Sequence, residues 1–233
     1  SSGTGSSTVC DGDAVGPDAE GPTTPSELAS ELESRIRSRQ ATVGVIGLGY
    51  VGLPLALAFT EAGFRVLGFD VDPDKTERIR RGDCYIRHLD EARLRRAVGE
   101  EDIPGGPRLE ATSDFDRLDE PDVLLICVPT PLTTHREPDL HYVEDTARAI
   151  RRRQRPGQLV VLESTTYPGT TDGLVRDILE GAGPGGGSGD SSRDDSFRCG
   201  DNLFVAFSPE REDPGNARFT TTDIPKVVGA VDR

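Results

Sequence analysis

Short apolar runs alternate with longer stretches of helical periodicity along most of this chain. TVGVI (42–46), FRVLGFD around 65–70, DVLLICVP (122–129) and LVVLES (159–164) are rich in β-branched and aliphatic residues. NLFVAFSPE (202–210) has the same character, RLEATSD (108–114) is a shorter candidate strand, and PKVVGA (225–230) is a further one. DVLLICVP is apolar throughout, as expected of a strand covered on both faces. Between these runs the pattern predicts helices over about 51–62, 72–81, 89–98, 140–153 and 170–181. Gly63, Gly82 and Gly181 sit where three of them should stop, and Asp72–Pro73 where one should start. A lead-in helix is expected over 25–40, with Ser26 as its N-cap and Leu28, Leu32 and Ile36 on one stripe. Strands alternating with helices predict an α/β fold of the Rossmann type: a doubly wound, mostly parallel sheet with helices on both faces.

The first strand–helix–strand unit carries the most specific signal. Gly47, Gly49 and Gly52 fill Gly-x-Gly-x-x-Gly, and Asp70 follows Gly52 by 18 residues at the end of the second strand. Gly47 permits a tight turn. Gly49 lets backbone approach a pyrophosphate, and Gly52 lets the helix lie close to the sheet. Amides near Tyr50 and Val51 would then face phosphate at the positive end of a helix. Asp70 would accept hydrogen bonds from a ribose and repel a 2′-phosphate, so the expected cofactor is NAD rather than NADP. In such sheets ligands bind beyond the carboxyl ends of the strands. Pro129–Pro131, Ser164–Gly169 and Ser208–Arg211 are therefore the other segments expected at the site.

Composition changes the picture at two places. Residues 1–25 and 183–201 are small and polar, too poor in apolar groups to offset the entropy of ordering, so a disordered acidic tail and a mobile insert are expected. The folded domain is then 26–233. Net charge is −14; the tail's four acids and the insert's net −2 leave −8 on the remainder. An acidic domain argues against nucleic acid as a partner. Lys75 and Lys226 are the sole lysines, and an acidic, lysine-poor surface suits a high-salt, halophile-like cytoplasm where repulsion is screened. No signal peptide or membrane-length apolar run is evident, and Cys10, Cys84, Cys127 and Cys199 show no CxxC spacing, so a reducing cytoplasm and no membrane association are expected. His88, His135 and His141 share no metal-ligand spacing, so no metal is expected. Cys84 and Tyr85 follow a helix stop, and sequence leaves open whether their loop faces a substrate.

GLGYVGLPLA, CVPTPL (127–132), HREPDL (135–140), ESTTYPGTT (163–171) and FSPEREDPGN (207–216) together resemble the NAD-binding domain of the UDP-glucose/GDP-mannose dehydrogenase family over roughly 42–230. CYIRH, REPDL, STTYPGTT and SPEREDPGN are most similar to its UDP-N-acetylglucosamine 6-dehydrogenase branch. The resemblance implies oxidation of a sugar-nucleotide C6 alcohol to a carboxylate by two NAD⁺, through a cysteine thiohemiacetal and a thioester. It implies that Gly47, Leu48, Gly49, Tyr50, Val51 and Gly52 hold the pyrophosphate, and that Asp70 with Lys75 holds the adenosine ribose. Pro129 and Thr130 would lie against the cofactor, Thr165 would border it and position the catalytic water, and Glu210 would serve acid–base work at C6. Arg211, Glu212 and Asp213 depart from the UDP-glucose branch. The family's nucleophilic cysteine, its central lysine and asparagine, its dimerising central helix and its UDP-binding domain lie C-terminal to this region and have no counterpart here. The implied partners are therefore a UDP-sugar, met through residues outside this chain, and a second copy of a full-length enzyme. A non-catalytic NAD-binding module and another Rossmann hydroxyacid dehydrogenase are the alternatives, the latter disfavoured by the motifs after Glu163.

Overall fold

The structure, a computed structural model, describes residues 24–87, 89–99, 108–133, 138–181, 197–209 and 227–230. Seven strands form one sheet: β1 (Thr42–Ile46), β2 (Arg65–Phe69), β3 (Leu109–Thr112), β4 (Val123–Ile126), β5 (Gln158–Leu162), β6 (Leu203–Phe207) and β7 (Gly229–Ala230). Their spatial order is β3-β2-β1-β4-β5-β6-β7. Every pairing is parallel except that of β6 with β7. The chain winds outward from β1 in both directions, so strand order reverses between β1 and β4. That reversal leaves a crevice at their carboxyl ends.

The apolar runs divide their side chains between two cores, as a period of two requires. On β4, Val123, Leu125 and Cys127 enter one cluster while Leu124 and Ile126 enter the other. The first cluster receives α1 (Pro25–Arg37), α2 (Gly52–Glu61), α3 (Pro73–Arg80) and α4 (Glu91–Val98); the second receives α5 (His141–Arg153) and α6 (Arg176–Glu180). The continuous run 122–129 is thus a strand buried on both faces, as its composition indicates.

Several expectations are corrected. The cap of α1 is Thr24, not Ser26: its hydroxyl accepts from Glu27 N at 3.3 Å and the Glu27 carboxylate accepts from Thr24 N at 3.0 Å. Pro25 fits the first helical position, where no N–H is needed, and sets the cap two residues before the expected Ser26. Helix, not tail, therefore begins at residue 25. The helix expected over 170–181 opens as a π-helical stretch, Thr170–Val175, before α6, where two β-branched threonines and Gly173 weaken the α ladder. A 3-10 turn at Phe115–Asp119, capped by Asp114, was not indicated by periodicity. The end of the supposed mobile insert is packed: Phe197 is buried under the Arg151 guanidinium, and Cys199 N donates to Glu180 Oε1 at 2.8 Å. Composition missed this because the anchors are one aromatic ring and one backbone amide, which hardly change the segment's average polarity. Residues 1–23 and 183–196 lie outside the described residues, as do His88, His135 and Cys10.

Candidate cofactor site

Gly47 leaves β1 at φ +93°, and its N–H donates to Phe69 O at 2.8 Å, so the turn begins while still paired to β2. A Cβ there would stand 2.7 Å from the Cys127 carbonyl oxygen. At Gly52 a Cβ would stand 1.9 Å from the Gly47 oxygen, so the first turn of α2 rests directly on the glycine turn. Beside Gly49 the same construction meets nothing within 4 Å. The turn is closed on its sheet side and open on its outer side. Val51 stands at the N-cap of α2 and brings no side-chain cap; Leu53 N already donates to Gly49 O at 3.1 Å and Pro54 has no N–H, so of the first-turn amides it is that of Gly52 that is left for another acceptor. A diphosphate fits that combination of open space and helix-end amides.

Asp70 ends β2 almost fully buried. Its Oδ2 accepts from Leu48 N at 2.9 Å and its Oδ1 from Asp72 N at 3.0 Å. Lys75, one turn into α3, reaches both oxygens only at 3.3 and 3.4 Å. The expected juxtaposition of glycine turn and acid is therefore direct, through a hydrogen bond. Leu48 enters the site by its backbone alone: its side chain is fully buried, and a Cβ on Gly68 would lie 2.9 Å from its Cδ2.

Two further post-strand loops are cross-tied at the same end of the sheet. Ser164 Oγ donates to Val128 O at 2.7 Å, and Thr130 Oγ1 donates to Thr165 O at 2.8 Å. These bonds hold Pro129 and Thr130 after β4 beside Thr165 after β5. Pro129 and Thr165 are exposed and Thr130 is half-buried. The loop after β4 is folded back on itself by Asp139 N, which donates to Pro131 O at 2.7 Å. Asp139 also pairs with His141 Nδ1 at 2.7 Å, and this hydrogen bond holds its carboxyl below the usual range. Ser208 continues β6 beside Leu162. Glu210, Arg211, Glu212 and Asp213 fall outside the described residues.

Sequence reading left Tyr85 undecided. Its hydroxyl donates to the Leu48 carbonyl, and the Arg78 guanidinium lies 5.4 Å from the ring centre. Burial, with the Asp70 charge second, pushes this phenol well above its ordinary value. The loop thus faces the glycine turn. No spacing rule connects residues 37 positions apart, so periodicity had no means of finding the pair. Cys127 is core, and Cys84 is half-buried with its thiol on Ile86 O. Among the described residues no group of three His, Cys, Asp or Glu could hold a metal, and no helix is long and apolar enough to cross a membrane. An apolar groove between α1 and Leu159 and Phe204 lies over β5 and β6; the charged groups that line it, Glu33 and Arg37, pair with each other at 2.6 Å.

Residues 41–233 match the UDP-glucose/GDP-mannose dehydrogenase family, NAD binding domain. The chain is 31% identical to UDP-N-acetyl-D-glucosamine 6-dehydrogenase of Pseudomonas aeruginosa, over 79% of its own length and 39% of that protein's. It is 33% identical to UDP-N-acetyl-D-mannosamine dehydrogenase of Escherichia coli K12, over 82% and 42%. Among solved structures, the NDP-N-acetyl-D-galactosaminuronic acid dehydrogenase of Methanosarcina mazei Go1 superposes with a TM-score of 0.68 at 29% identity, covering 85% of this chain and 41% of that one. The chain thus spans about two fifths of the length of the relatives it matches.

Proposed function

We propose, since this chain belongs to the UDP-glucose/GDP-mannose dehydrogenase family and is its NAD-binding domain, that it serves a 6-dehydrogenase acting on a UDP-N-acetylhexosamine. Its relatives named for UDP-N-acetyl-D-glucosamine and UDP-N-acetyl-D-mannosamine support that substrate class. NAD⁺, when bound, supplies the hydride acceptor for two successive oxidations at C6. The amides of Gly49, Tyr50 and Val51 face the diphosphate. Asp70 accepts from the adenosine ribose, with Lys75 beside it, and its charge disfavours a 2′-phosphate. Pro129 and Thr130 border the cofactor. Thr165 orients water, and Glu210 acts on the proton at the C6 oxygen. The nucleophilic cysteine and the UDP-binding residues come from sequence beyond this domain, in an enzyme that pairs with a second copy.

The observation that carries this reading is the 2.9 Å bond from Leu48 N to Asp70 Oδ2, which joins the glycine turn to the acid one strand away. Calorimetry of this domain with NAD⁺ and NADP⁺ tests it: NAD⁺ binds more tightly, and no NAD⁺ binding at millimolar concentration overturns it. A protein extending through the family's downstream cysteine releases NADH with UDP-N-acetylglucosamine or its mannosamine epimer, while the 233 residues alone form no carboxylate. The −14 charge and near-absence of lysine support a high-salt cytoplasm as the protein's setting. Its melting temperature then rises in molar KCl; no rise removes that part of the proposal.

A further inference from the structure

The residue between the first two glycines is gripped at three points. Its N–H is held by Asp70, its side chain by the space that Gly68 leaves, and its C=O by the Tyr85 hydroxyl. The first two grips come from β2. The third comes from the loop between α3 and α4, outside the strand–turn–helix unit that carries the glycine fingerprint. The Leu48–Gly49 peptide is trans, so its carbonyl and the Gly49 N–H point in opposite directions. Turning the carbonyl toward Tyr85 turns the Gly49 N–H away from Tyr85. Beside Gly49 the space is open. We propose that Tyr85 is a positioning residue for the cofactor diphosphate: its hydroxyl, by holding the Leu48 carbonyl, aims the Gly49 N–H outward at a phosphate oxygen.

The inference rests on the NAD-binding reading above and adds a residue that the glycine fingerprint does not contain. A peptide plane free to rotate must be ordered when the anion arrives, and that ordering subtracts from affinity. With the carbonyl already engaged, the amide is preset. The ring need not touch the cofactor, since it acts through a single peptide unit. The Arg78 guanidinium lies over the ring, 5.4 Å from its centre, and helps keep it in place. Removing the hydroxyl leaves the Leu48 carbonyl without this donor, and the plane is freed while the ring's packing remains.

Calorimetry on the whole chain separates this role from a structural one. Tyr85→Phe is expected to weaken NAD⁺ and ADP by about five- to ten-fold while adenosine affinity changes less than about two-fold. Unchanged NAD⁺ affinity overturns the inference, and so does an equal loss for adenosine, which would place the effect at the ribose and Asp70. If Tyr85→Phe does not fold, amide NMR of the wild-type chain decides instead. ADP then shifts the Gly49 resonance strongly, and a Gly49 resonance unmoved by bound ADP overturns the assignment. Failure of the wild type to bind NAD⁺ is a different result: it removes the cofactor reading itself, and this inference with it.

Discussion

Two aspartates, equally hidden from solvent, stand at opposite ends of the sheet. Asp70 lies at the carboxyl end and Asp122 at the amino end, 5% and 4% exposed. Asp122 is held by three short bonds. It accepts from Arg155 at 2.7 Å, from Arg35 at 2.8 Å and from Thr42 N at 2.8 Å, and so fastens α1 and the start of β5 to the centre of the sheet. Asp70 takes two backbone amides, but the Lys75 ammonium stands off at 3.3 Å, beyond the ordinary range of a charged hydrogen bond. A carboxylate offers about four acceptor positions; all three bonds on Asp122 are short, whereas the two lysine contacts on Asp70 are long and the more easily exchanged. Burial alone therefore does not mark a binding group. What distinguishes Asp70 is a loosely held cation and a direct bond to the glycine turn.

The comparison breaks most visibly at Asp122. Asp122→Ala strands two guanidiniums and an amide, and should cost about 2–4 kcal/mol in urea unfolding, the half-exposed arginines keeping it below a fully buried case. NAD⁺ affinity should change less than about two-fold; a large affinity loss without a stability loss would reverse the roles assigned to the two ends. Gly52→Ala drives a methyl into the Gly47 carbonyl, and should cost about 2 kcal/mol of stability and abolish measurable NAD⁺ binding. Asp70→Asn should behave in the opposite sense to Asp122→Ala. Stability should stay within about 1 kcal/mol while NAD⁺ weakens about ten-fold and the preference over NADP⁺ falls. An unaltered NAD⁺ to NADP⁺ ratio would count against Asp70 as the ribose acceptor.

A smaller effect sharpens the picture of the amino end. Arg117 hydrogen-bonds Glu120 and Glu110, and those bonds hold both carboxyls below their usual value. Groups lowered in the folded state stabilise it above the ordinary carboxylate value of about 4.3 and lose that contribution as pH falls through their folded values. Because all three side chains are partly solvated, the sum is less than about 1 kcal/mol. Arg117→Gln should therefore be slightly less stable than wild type at pH 7, with the gap closing below about pH 4. A gap constant with pH would assign the arginine's contribution to packing of its stem.

The cofactor half of the site was legible because it is local. Turn, helix start and acid fall within Gly47–Asp70, and each demands a residue type that sequence displays: glycine where a Cβ has no space, aspartate after an apolar strand. The β4 and β5 loops were legible as positions, since Pro129, Thr130 and Thr165 follow apolar runs. Their cross-tie was not legible, because a threonine hydroxyl bonding a carbonyl 35 residues away leaves no periodic trace. The Thr24 cap was visible in principle as Thr-x-x-Glu, but Ser26 offered a competing hydroxyl.

The sequence by itself determined the α/β alternation, the dinucleotide turn and the family, because these follow from hydrophobic period, backbone sterics and contiguous motifs. Only the tertiary structure decided which buried aspartate is tied by short bonds to two arginines and which meets its cation at long range. It alone also put Tyr85 against Leu48. Both outcomes depend on which distant groups arrive beside a given atom, and the one-dimensional order of residues does not encode those separations.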